Sequence, residues 1–228
     1  MTALDAILDR PTPTLRWGRA TLKLELFRPT GGTDDRALAL LSHGGVLDAT
    51  AGAALAAAAW SRARKIELVL RPRGVFTHEV RETLRVWGAT LDPSAVPTLP
   101  SLDGEAAVPI FARTLGAELP RADVVVAAGG ARAALLGALA RGAHGIALVA
   151  ASRDDVVPEL PCEADLPAGI ERVPITRAHA AAARALLCRE LGLLAGHASA
   201  AAAVIAGERG GLALLTSAGE REFSLDAR

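Results

Sequence analysis

The sequence predicts a three-layer α/β protein built on a mostly parallel sheet. Short β-rich runs alternate with Ala- and Leu-rich stretches of helical length along most of the chain. One of these runs, Asp123 to Ala128 (DVVVAA), is continuously apolar, as suits a parallel strand buried on both faces. Threonines and glycines mark the boundaries: Thr77 and Thr176 stand as N-caps, Gly88 and Gly192 as stops.

Taken in order, Thr21 to Phe27 reads as a strand and Arg36 to Leu41 as a short helix, followed by the turn signal His43-Gly44-Gly45. Gly52 to Arg64 is helical by composition, and Ile66 to Arg71 is a strand. Val80, Leu84 and Trp87 recur at helical spacing between Thr77 and Trp87. Thr90 to Glu105 holds three prolines and little periodicity, and reads as a crossover. Val108 to Leu119 is a helix that tolerates Pro109 in its first turn. Gly129-Gly130 leads from the apolar run into a helix over Ala131 to Arg141. Gly145 to Ala150 is a strand, and Arg153 to Pro174 is Pro-rich and irregular. Helices over Thr176 to Leu191 and Ser199 to Ala206, and a last strand over Leu212 to Thr216, complete the pattern.

A length of 228 residues suits one large domain or two small lobes sharing a sheet. The hydrophobic fraction of 51%, much of it alanine, allows a sizeable core with closely packed helices. Aromatic residues are scarce, Tyr is absent and the net charge is zero, so neither nucleic acid nor an acidic membrane is an expected partner. Met1 to Arg10 has no apolar signal core, and the apolar stretches are too short to span a bilayer; a soluble, cytoplasmic protein is expected. Cys162 and Cys188 form neither a disulfide framework nor a metal spacing and read as reduced thiols. The five histidines are scattered, with no H-E-x-x-H, so no metal site is expected. A nucleophile elbow and a full dinucleotide fingerprint are also missing.

Four segments, in order, carry a family resemblance. Leu22 to Arg36, LKLELFRPTGGTDDR, follows the pattern K-x-E-x-x-N-P-T-G-S-x-K-D-R at Lys23, Glu25, Pro29, Thr30, Gly31, Asp35 and Arg36. Asp48 to Ala56, DATAGAALA, lies beside S-G-N-T-G-x-A-L-A. Arg71 to Leu91 has the strand end, proline, helix and L-x-x-L-G-A-like close of a third segment, and Ala185 to Ser224 ends in TSAGEREFS beside P-S-x-G-E-R-Y-L-S. The chain thus resembles the fold-type-II pyridoxal-phosphate (PLP) enzymes, the cysteine synthase, threonine synthase and tryptophan synthase beta-like family, as a shortened and degenerate member. The resemblance implies a larger lobe formed by residues 1–35 and 92–228 and a smaller inserted lobe of residues 36–91.

It also implies where a cofactor would sit. Asp34 stands at the position of the Schiff-base lysine, and a carboxylate forms no imine. Thr50 replaces the asparagine of the substrate loop, which ends here at Gly52. Gly129, Gly130 and Ala131 match the phosphate turn, with Ala131 in place of a threonine. Ser217 matches the serine at the pyridine nitrogen. In the family arrangement His43 faces Asp34, Asp35 and Asp48, an acid–base cluster in a reading without PLP. Asp34 is expected in the cleft near Gly129 and Ser217, with Asp35 turned away onto Arg36. These losses predict a pseudoenzyme that binds no cofactor and acts through a partner or a small anion, as a homodimer or with a full-length relative. The alternative is an active PLP-dependent lyase or synthase of amino-acid metabolism with atypical cofactor attachment.

Overall fold

The computed structural model describes residues 11–28, 30, 32–118, 122–129, 131–157, 160, 166 and 168–222. Pro29, Gly31, Gly130 and Cys162 lie outside them. Strands β1 (Thr14–Trp17) and β2 (Ala20–Lys23) form an antiparallel pair. A 3-10 helix over Thr33–Leu40 then leads to β3 (Gly45–Ala49), α1 (Ala51–Arg64), β4 (Leu68–Pro72), α2 (His78–Val86) and β5 (Thr90–Leu91). Next come α3 (Val108–Glu118), β6 (Val124–Ala128), α4 (Arg132–Leu139), β7 (His144–Ala150), β8 (Glu171–Ile175), α5 (Arg177–Leu191), α6 (His197–Arg209) and β9 (Leu212–Leu214).

Two sheets result. The larger has the order β1-β2-β9-β6-β7-β8 and is parallel except at β1–β2. The smaller, β3-β4-β5, is wholly parallel. Successive residues of β6 point to opposite faces, as strand pleating requires. Val125 and Ala127 join Phe111, Leu115 and Leu135 of α3 and α4, whereas Val126 and Ala128 join Leu187, Ala198 and Ala202 of α5 and α6. These are the three layers, helices covering both faces of a parallel sheet. The core on the α3–α4 side continues through Ala37 and Leu41 to Leu47, Trp60 and Leu70, so the two sheets share it.

Local chemistry sets the boundaries. The Thr77 and Thr176 hydroxyls accept from the backbone N–H of Val80 and His179, closing the first turns of α2 and α5. Gly192 ends α5 with φ +65°, which a glycine adopts without a Cβ clash. Two expectations are corrected. The first strand stops at Lys23, because Glu25–Phe27 turns in a 3-10 helix that carries the Glu25 carboxylate inward to Arg36. Arg153 to Pro174 is not irregular throughout: Glu171–Ile175 is a strand despite Pro174, and it lies at the sheet edge, where a proline is tolerated. The short strands β1 and β5, of 4 and 2 residues, give too little alternation to be read from the chain.

Candidate functional site

Three of the expected segments follow the carboxyl ends of parallel strands, β3, β6 and β9, where open α/β sheets place their ligand sites. Thr50 lies between β3 and α1 in an extended conformation, half-buried, and its hydroxyl makes no capping bond to the helix it begins. Gly52 is buried in the first turn of α1. Gly129 is buried beyond β6, its N–H donating to Leu148 O (2.9 Å), and Ala131 follows as the residue before α4. Ser217 follows β9 and forms an antiparallel bridge with Gly32, which draws the segment carrying Asp34 toward it. Gly130 lies outside the described residues.

The amides that open α4 meet a side chain that sequence reasoning did not single out. Asp103 accepts from Ala133 N (2.8 Å) and Arg132 N (3.2 Å). The loss of water on burial and, after it, the charge of Asp34 raise its pKa well above the ordinary carboxylate range, against the opposing pull of those amides and of Arg73. Asp34, half-buried, therefore stands within electrostatic reach of Asp103.

Asp35 does not pair with Arg36. Its carboxylate accepts from the backbone N–H (3.0 Å) and hydroxyl of Thr30. Arg36 instead makes two-pronged bonds to Glu25 (2.7 Å to each oxygen) and to Glu118 (2.8 Å to each oxygen). A planar guanidinium matches a carboxylate in this way, and Glu25 and Glu118 together outbid the adjacent Asp35. Lys23 belongs to the same buried cluster: its Nζ donates to Glu118 (2.7 Å) and to the carbonyl of Thr12. Burial alone would raise the Glu118 pKa, but bonds from Arg36 and Lys23 overcome it and hold the group at about 2. Lys65, the only other lysine, occupies the left-handed residue after α1, at the opposite end of that helix from Thr50.

Ser217 is buried in a polar network. Ser199 Oγ accepts from the N–H of Thr216 (2.9 Å) and of Ser217 (3.0 Å), and the two serine hydroxyls are 3.0 Å apart. Beside it, Glu222 accepts from the N–H of His197 (2.7 Å) and meets its Nδ1 at 2.6 Å, while Arg184 donates to Gly219 O (2.9 Å). The expected His43 cluster does not form: His43 is exposed and meets Ser42, and Asp48 pairs with Arg71 (2.9 Å). Asp103 thus connects Asp34 electrostatically with the first turn of α4, the Gly32–Ser217 bridge ties the Asp34 segment to the end of β9, and His43 lies outside these contacts. No local sequence signal marks Asp103, because its partners lie about 30 residues along the chain.

No protein-family profile and no curated protein matches the chain. Solved structures do. A lysine-to-alanine mutant of O-ureido-L-serine synthase with O-ureido-L-serine bound superposes with a TM-score of 0.77, at 22% identity over 97% of this chain and 91% of the other. O-ureido-L-serine synthase itself gives a TM-score of 0.73, at 20% identity over 97% of this chain and 92% of the other.

The fold is that of the fold-type-II PLP-dependent synthases.

This likeness corrects the expectation that no cofactor binds: the structures it superposes on are of PLP-dependent enzymes, and the fold is one that carries PLP. The residues fit that group in part. Gly129 lies between β6 and α4, and Ser217 lies after β9, where it bridges Gly32. Of the two lysines, Lys23 donates to Glu118 within the core, and Lys65 follows α1 at the end opposite Thr50. Among the described residues, no helix is long and apolar enough to cross a membrane.

Proposed function

We propose that this chain is a non-catalytic relative of the PLP-dependent synthases that works by binding, either a small anionic ligand between its two sheets or a partner chain, as a homodimer or with a full-length relative. The observation that carries the reading is the state of the two lysines. Lys23 is 1% exposed and holds Glu118 at 2.7 Å, so freeing its amine would leave a buried carboxylate short of a partner. Asp34, at the position the resemblance assigns to the reactive lysine, has no amine. Anion binding is supported at α1, where the first turn carries no acidic residue and the Thr50 hydroxyl is not used as a cap.

Without an available amine, PLP enters this chain only without a covalent bond. Its test is borohydride reduction of the protein incubated with PLP, followed by mass spectrometry of the peptides containing Lys23 and Lys65. Neither peptide is expected to carry the reduced adduct in stoichiometric amount. A stoichiometric adduct on either would overturn the reading in favour of an active lyase or synthase with atypical attachment.

A further inference from the structure

Helices α1 and α2 both end beside the first residues of β4, and a cavity of about 430 Å³ opens there. It lies at the end of α1 opposite Thr50, away from the segments that follow β3, β6 and β9. A volume of this order suits a small organic molecule. Ala58, Leu68 and the half-buried Trp87 give the cavity an apolar wall, and Arg62, Lys65 and Glu67 give it charge. Arg62 reaches from α1 to the end of α2, where it donates to Val86 O (3.4 Å). Among the described residues, Arg62, Lys65 and Glu67 form no ion pair, whereas the neighbouring Arg64 lies over the Trp60 ring at 5.6 Å. Lys65 is also the one described non-glycine residue with a positive φ, 56°. That conformation costs an L-residue about 1–2 kcal/mol and is ordinarily left to glycine, yet here it carries an amine at the cavity.

The charges around this cavity select its ligand. Two cations, Arg62 and Lys65, are offset by the Glu67 carboxylate and by the partial negative charge of two helix C-termini. A phosphate dianion would meet Glu67 and both helix ends with repulsion, and a neutral apolar molecule would leave all three side-chain charges unused. A zwitterion matches them group by group. We propose that this cavity is a second binding site, for a free α-amino acid with an aromatic side chain. Arg62 and Lys65 take the carboxylate, Glu67 takes the ammonium, and the ring lies against Trp87 and Leu68. The site is separate from the one between the two sheets and does not depend on what that site binds. Its occupant would join the ends of α1 and α2, which Arg62 alone links now.

Chemical-shift titration of the intact chain tests this, read at the amides of Lys65 and Gly88 and at the indole N–H of Trp87. The probes are L-phenylalanine, hydrocinnamate, which lacks the ammonium, and phenethylamine, which lacks the carboxylate. Phenylalanine is expected to shift all three resonances and to bind about tenfold more tightly than either analogue. Lys65→Gly removes one partner of the carboxylate at a φ that glycine adopts freely, so the fold is kept while phenylalanine affinity falls about tenfold. Glu67→Gln weakens phenylalanine but leaves hydrocinnamate unchanged, a split that a merely structural role of Glu67 would not produce. Absence of phenylalanine binding overturns the proposal, as do equal affinities for phenylalanine and hydrocinnamate, shifts confined to residues outside the cavity, or undiminished affinity in Lys65→Gly. None of these measurements involves PLP, so their outcome is independent of the imine test.

Discussion

Glu118 shows how much of this molecule hangs on one side chain. It accepts from Lys23, Arg28 and Arg36, and these three cations face Glu25, Glu118 and the nearby Asp35. Replacing Glu118 by Gln leaves the buried cations short of a counter-charge. The expected loss is about 3–5 kcal/mol at pH 7, measured by urea denaturation. The pH dependence follows from the depressed pKa. A carboxyl held at about 2 in the folded state, against 4.5 ordinarily, gives stability that is complete above 4.5 and disappears as the pH falls toward 2. The gap between the unmodified protein and Glu118→Gln should therefore narrow across that window; a gap unchanged from pH 7 to pH 2.5 would refute the assignment. Residue-level chemistry was legible only where it is local. The losses at Asp34, Thr50 and Ala131 stand in the chain itself. The partners of Arg36 and the seat of Asp103 do not, because Glu118 lies 82 residues from Arg36 and Arg132 lies 29 from Asp103.

Helices α3 and α4 touch at a glycine. A Cβ on Gly137 would come within 2.8 Å of Ala112 N and 3.0 Å of the Phe111 carbonyl carbon, both backbone atoms that cannot swing away. Intrinsic propensity favours alanine over glycine in a helix by about 1 kcal/mol. Overpacking costs about 1–3 kcal/mol, and here it acts on the pair of helices that covers one face of the sheet. Packing decides the sign: Gly137→Ala is expected to lower stability by about 1–2 kcal/mol. A thermal melt showing an unchanged or raised midpoint would mean that the helices part easily. The same contrast explains which elements could be read from the sequence. Helices α2 and α5 carry their own caps and glycine stops, so their limits fall within a residue of expectation. Strand β2 carries alternation beyond Lys23, but an ion pair to a distant Arg36 bends the chain there instead. Strand β8 is concealed by a proline that only its place at the edge makes acceptable.

At the scale of the molecule, the shared core predicts how the chain unfolds. Leu47 and Leu70 of the smaller sheet and Trp60 of α1 belong to the same buried cluster as Val125, Ala127 and Leu214 of the larger sheet. Neither sheet keeps that face covered without the other, so one cooperative transition is expected. In a Trp17→Phe variant the remaining tryptophans, Trp60 and Trp87, report on the smaller unit, while far-UV circular dichroism reports chiefly on the helices of the larger. Coincident midpoints are expected; midpoints several degrees apart would show that the units melt separately. The sequence pattern already held the layered arrangement, since alternating strands and helices leave few ways to cover both faces of a parallel sheet. Where that sheet stops has a consequence of its own. Ile175 O accepts from Ala151 N, so Ile175 turns its polar groups toward β7 and Pro174, one residue earlier, turns away. The outward rim of β8 thus lacks an amide hydrogen in mid-strand. A strand from another molecule finds an interrupted ladder at this rim, and the chain is protected there against edge-to-edge polymerisation in a crowded cell.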